Sequence, residues 1–245
     1  MSTELKSRTA APPAGAPARP LPRWRSSIGL KIVMAVSGVL MVLFIIAHMA
    51  GNLHIFEGRE EMNDYAHGLR TFGEPILPHE SLLWVLRLGL IASIGAHLWS
   101  GIVLSRRAHL ARPVKYAHRH KARGESRGAY GVMRWGGITI AAFVVWHLLD
   151  LTFRTVNPVK DVPDAYGAVV ATFAPERWPV TVFYLLALVA LGFHLRHGIW
   201  SAVQTIAGPG PVWRRRGQAV ALTVAAVVVA GFAIVPLAVS FGLVS

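Results

Sequence analysis

The stretch Ser26–Leu53, SSIGLKIVMAVSGVLMVLFIIAHMAGNL, decides the fold. Beyond Lys31 it runs for more than twenty residues without a charge. A bilayer core requires about 20 mostly apolar residues of helix. Backbone groups in lipid must bond within their own segment, so such a run is a helix. Four more segments match it, giving spans of about 28–53, 82–104, 132–153, 180–206 and 219–243. The composition agrees, with 53% apolar residues, only 15% charged and a mean hydropathy of +0.46. The expectation is an all-α integral membrane protein of five spans. No loop exceeds roughly 30 residues, too few for a separate soluble core.

The net charge of +13 is unevenly placed. Lys6, Arg8, Arg19, Arg23, Arg25 and Lys31 precede or open the first span, against Glu4. The loop between spans two and three carries Arg106, Arg107, Arg112, Lys115, Arg119, Lys121, Arg123, Arg127 and Arg134, against Glu125. Arg214, Arg215 and Arg216 separate spans four and five. The other two loops hold ten of the 12 acids, among them Asp150 and Asp164. The positive-inside rule then places the N-terminus in the cytoplasm and the C-terminus outside, in a multi-pass protein of the cell (inner) membrane. It also accounts for the basic loops without nucleic acid. Membrane lipid remains a partner, and anionic headgroups or a soluble partner suit the basic face. Trp24, Trp135 and Trp213 at one level and Trp84 and Trp178 at the other read as aromatic belts.

Residues 1–25, rich in Ala, Pro and Arg, lack the apolar core of a secretory signal and read as a disordered cytoplasmic tail. The domain is 26–245. There is no cysteine, which excludes disulfides and iron–sulfur ligation by this chain. No glycine-rich phosphate or dinucleotide motif occurs.

Four spans carry histidines: His48, His97, His147, and His194 with His197. Intramembrane ionisable residues are costly and mark function. At about 1.5 Å per residue, His48 and His147 fall in the outer half and His97 and His194 in the inner half. One tetrahedral zinc would want four ligands at one depth. Two pairs at two depths suit two haem irons, each taking an imidazole from facing helices. Gly101 and Gly198 follow His97 and His194 by four residues and leave that face bare for a flat ring; Gly51 follows His48 by three. The bland reading makes each histidine an interhelical hydrogen-bond donor. His54, Asn52 and Ser27 are candidates to contact a quinone, His54 also a lipid headgroup. His67, His79, His109, His118 and His120 read as solvated loop residues. Arg87 is expected to snorkel, and Arg196 either to snorkel or to meet a haem propionate. Asp and Glu are expected to be absent from all span interiors, and the fifth span to be plain lipid-facing packing.

These motifs resemble a known family. The stretch Ser26–Leu53 with its terminal H-x-x-G-N-L, AHLWSG at 96–101, VWHLLD at 145–150 and FHLRHGIW at 193–200 are similar to the cytochrome b membrane anchor of succinate dehydrogenases and fumarate reductases, in its single-chain, five-helix, dihaem form. The family's fourth-helix pattern H-x-x-x-G selects His194 over His197. The resemblance implies two haem b groups with axial pairs His48/His147 and His97/His194. It implies a flavoprotein subunit with FAD and an iron–sulfur subunit docked on the cytoplasmic face. This chain would then pass their electrons to a quinone in succinate:quinone oxidoreductase, or in the fumarate-reducing direction. Where some dihaem relatives carry a buried glutamate, this chain has Leu191, Gly192 and Phe193. The alternatives are another quinone-linked cytochrome b, or a transport or structural membrane protein whose histidines only hydrogen-bond.

Overall fold

A computed structural model describes residues 22, 26–111, 128–160, 164–206 and 211–245. The expected tail, Pro22 apart, lies outside the described residues, as do His118, His120 and most of the basic loop between the second and third spans. Among the described residues the chain is helical, without a strand. In chain order the helices are α1 (Ser27–Leu53), α2 (Arg59–Thr71), α3 (Ser81–Leu110), α4 (Gly128–His147), α5 (Ala165–Phe173), α6 (Trp178–Ile206) and α7 (Pro211–Ser240). Five apolar runs, Ser27–Glu57, Ser81–Leu110, Met133–Thr152, Pro175–Ile206 and Val212–Ser240, are long enough to cross a membrane. They expose large apolar side chains such as Leu43, Leu88, Val145 and Leu186, as lipid-facing helices do.

Local chemistry sets the helix ends. Ser26 caps α1, its hydroxyl accepting the Gly29 N–H at 3.0 Å. A tight turn at His54–Glu57 follows, and Gly58, at φ 108°, turns the chain into α2 where a side chain would be strained. Asp164 caps α5 in the same way, accepting from Gly167 N at 2.8 Å. Asn63 of α2 reaches the same end: its Oδ1 accepts from the Ala165 and Tyr166 N–H groups, and its amide donates to Asp164 at 3.0 Å. Arg59 completes the cluster, pairing with Asp164 and lying 5.0 Å over the Tyr166 ring. Thus α2 and α5 are tied into one platform at the α1–α2 end of the bundle.

Helix α6 packs against α7, α4 and α1, and α1 packs against α3. The fifth span corrects an expectation. One face of α7 is buried, with Ala221, Ala225, Val228, Val235 and Val239 at spacings of three, four and seven. A Cβ at Gly192 on α6 would stand 2.9 Å from Val229, so the two helices meet closely there. Two histidines also move. His67 lies on α2 and His109 in the last turn of α3, rather than in loops.

A second correction concerns acids. Asp150 lies at the end of the Met133–Thr152 span and is fully buried. The helix widens there: the Phe153 N–H bonds to the Leu148 carbonyl at 2.7 Å, a five-residue step. Counting Asp150 with the loop acids was the wrong reading because the run LLDLTF looks like a helix ending, while the groups that receive the carboxylate come from residues 157–184.

Candidate functional site: two imidazole pairs

Four of the five spans bring their histidines together in two places. The His48 and His147 rings lie with centroids 5.8 Å apart at an interplanar angle of 84°. The His97 and His194 rings lie 6.2 Å apart at 58°. All four are half-buried. These are the partners that counting helical rise from the span ends expects. With a metal–imidazole bond of about 2 Å, two rings facing each other across one metal place their centroids roughly 6 Å apart. Both separations fit that arrangement.

The two pairs are held by different means. At the first, His48 stacks on Phe44 at 5.3 Å and 10°, and Phe232 of α7 lies 5.8 Å away. His147 is bordered by Phe143 at 5.7 Å and Tyr184 at 6.2 Å. At the second, His97 Nδ1 donates to the Met34 carbonyl of α1 at 3.2 Å, with Ser37 Oγ 3.4 Å from the same nitrogen. The carbonyl can only accept, so the proton sits on Nδ1 and the other ring nitrogen keeps its lone pair. His147 Nδ1 and His194 Nδ1 are buried without a hydrogen-bond partner among the described residues. Buried polar atoms are nearly always paired, so one such imidazole in each pair fits a site for a bound group.

Space for that group is uneven. A Cβ on Gly101 or Gly198 would meet nothing within 4 Å, as room beside His97 and His194 requires. Gly51 differs: a Cβ there would meet Tyr65 Oη at 2.7 Å, so that face is filled by α2 rather than open. The bare position instead seats Tyr65, whose ring stacks on His54 at 4.5 Å.

Beside His147 lies a buried polar cluster that the sequence reading missed. Tyr184 Oη donates to Asp150 Oδ2 at 3.1 Å. The Asn157 amide, also buried, donates to Asp150 Oδ1 at 3.3 Å, to Thr172 Oγ1 at 2.8 Å and to the Ala168 carbonyl at 3.1 Å. Arg177 stands 3.8 Å from Asp150 and donates to the Ala171 carbonyl at 3.3 Å. The carboxylate therefore has a counter-charge and two further donors, as a buried charge requires. Asp150 was visible in VWHLLD, but its partners lie 7 to 34 residues downstream and no local pattern announces them.

The other singled-out polar residues have partners of their own. Asn52 donates to the His48 carbonyl at 2.7 Å. His54 Nδ1 lies 2.9 Å from Glu57. Ser27 accepts from Arg107 at 3.3 Å. Arg87 pairs with Glu80 at 3.5 Å and lies over Trp84, reaching toward the start of α3 as a snorkelling side chain does. Arg196 is exposed on α6. No group of three or more His, Asp or Glu side chains that would hold a bare metal ion occurs among the described residues. No family model, curated protein or solved structure matches the chain.

Proposed function

We propose that this chain is the membrane anchor and electron-transfer subunit of a succinate:quinone oxidoreductase, holding two b haems between His48 and His147 and between His97 and His194. The observation that carries this reading is the pair of facing imidazoles, 5.8 and 6.2 Å apart, at two levels of one bundle. Haem iron supplies reversible one-electron transfer when bound. The chain's own part is to present four imidazoles, to leave Gly101 and Gly198 bare beside two of them, and to exclude water with apolar helices. Met34 orients His97 by accepting its Nδ1 proton, which leaves the opposite nitrogen for iron.

The asymmetry of charge supports a basic face in the cytoplasm, N-terminus in and C-terminus out, in the cell (inner) membrane of this reading. There it suits docking of an iron–sulfur subunit, which carries the clusters that a cysteine-free chain cannot ligate, with its FAD-bearing flavoprotein partner. Quinone is the membrane-side substrate. The same machine runs in the fumarate-reducing direction when the potentials favour it.

The test is a dithionite-reduced minus oxidised spectrum of the purified chain with a pyridine haemochrome count. The expected result is two haems b per chain, reduced to one by His97→Ala and to one by His48→Ala. A chain without haem from a haem-replete host overturns the electron-transfer reading and favours histidines that only hydrogen-bond.

A further inference from the structure

The two imidazole pairs differ in how their rings are fixed, and Ser37 shares in that difference with the Met34 carbonyl. Ser37 is buried on α1. Its hydroxyl donates to the Val33 carbonyl at 2.7 Å, which turns an oxygen lone pair outward from α1. That oxygen lies 3.4 Å from His97 Nδ1, while the Met34 carbonyl lies 3.2 Å from it. The His97 N–H is thus shared between two acceptors on one turn of α1. Gly38, next in sequence, keeps the approach open: a Cβ there would stand 3.5 Å from the His97 ring. His194 and His147 have no partner for Nδ1 among the described residues.

We infer that Ser37 is a positioning residue for His97: with the Met34 carbonyl it fixes the ring's tautomer and rotation, and it makes the inner site electronically distinct from the outer one. This rests on the haem reading above. An acceptor on the distal nitrogen makes an imidazole a stronger electron donor to iron. Stronger donation favours ferric iron and lowers the midpoint potential. Ser37 acts through His97 and does not itself touch the iron.

The experiment uses the full chain in nanodiscs, as wild type, Ser37→Ala and Ser37→Thr. Alanine is the best helix former, so α1 persists without the hydroxyl. Potentiometric titration and low-temperature electron paramagnetic resonance follow both haems. In Ser37→Ala the midpoint of the haem lost in His97→Ala shifts upward and its low-spin signal moves, while the other haem is unchanged. Ser37→Thr restores the wild-type values. Two unshifted haems in Ser37→Ala overturn the inference and leave the haem reading intact. Nitrogen-15 histidine spectra give a second readout that needs no haem. The wild-type His97 resonance reports the Nδ1–H tautomer, and Ser37→Ala broadens or shifts it. If the chain binds no haem, the functional reading falls and this spectrum alone decides: an unchanged His97 resonance overturns the role of Ser37.

Discussion

Asp150→Ala removes the shared acceptor of Tyr184 and Asn157 and leaves Arg177 without its counter-charge. Stranding buried donors and a partly buried cation costs roughly 2–4 kcal/mol. The check is a lowered midpoint of thermal unfolding in detergent, with Asp150→Asn losing less because the side chain still accepts from Tyr184. The same cluster shows what single residues disclose. The span histidines were legible because an ionisable side chain inside an apolar run is conspicuous and helical rise sorts them by depth; His194 was separated from His197 only by the family resemblance. Asp150 was not legible. Its burial is decided by Asn157, Arg177 and Tyr184, which reach it from later in the chain, with Thr172 holding Asn157. Tyr65 over Gly51 is similar: spacing marks a bare helix face but cannot say whether a cofactor or a tyrosine fills it.

At the scale of the elements, the α2–α5 platform depends on one carboxylate. Asp164 is set by opposing influences: partial burial raises its pKa, while the Gly167 N–H, the Asn63 amide, Arg59 and Arg154 together bring it below its ordinary value. A depressed folded-state pKa means that the stabilisation is complete above the unfolded value near 3.8 and is lost as pH falls through the folded one. Asp164→Ala is expected to cost about 1 kcal/mol through the lost cap. The acid-side decline of thermal stability should flatten in that variant; an unchanged acid limb would remove Asp164 from the account. Helix α7 shows the opposite limit of legibility. Its buried stripe was unreadable because from Ala219 to Val239 the helix is almost wholly apolar, and without polar positions a helical period has little contrast. The stripe exists because α6 presents Gly192 and other close-packing positions to it.

For the whole molecule, five spans were readable since length and apolarity are properties of each segment by itself. Their side of the membrane rests on charge, and the absence of cysteine makes that directly measurable. Ala111→Cys, at the end of α3, and Ser245→Cys, at the C-terminus, each give a chain with one thiol. A membrane-impermeant maleimide added to intact spheroplasts should label Ser245→Cys and reach Ala111→Cys only after permeabilisation. The reverse pattern would invert the orientation.

The buried carboxylate also bears on how the chain is made. Synthesis delivers Asp150 before Asn157, Thr172, Arg177 and Tyr184, so the third span leaves the ribosome with an acid whose partners do not yet exist. Placing an isolated Asp at the centre of a helix costs an insertion channel about 2.5–3.5 kcal/mol, and less near an end. That span is also the shortest and least apolar of the five, at 20 residues and a hydropathy of 1.4. Its carboxylate is therefore satisfied only once Asn157, Arg177 and then α6 with Tyr184 have followed. Burying this end of the helix, beside the His48–His147 pair, thus calls on tertiary partners that translation supplies later.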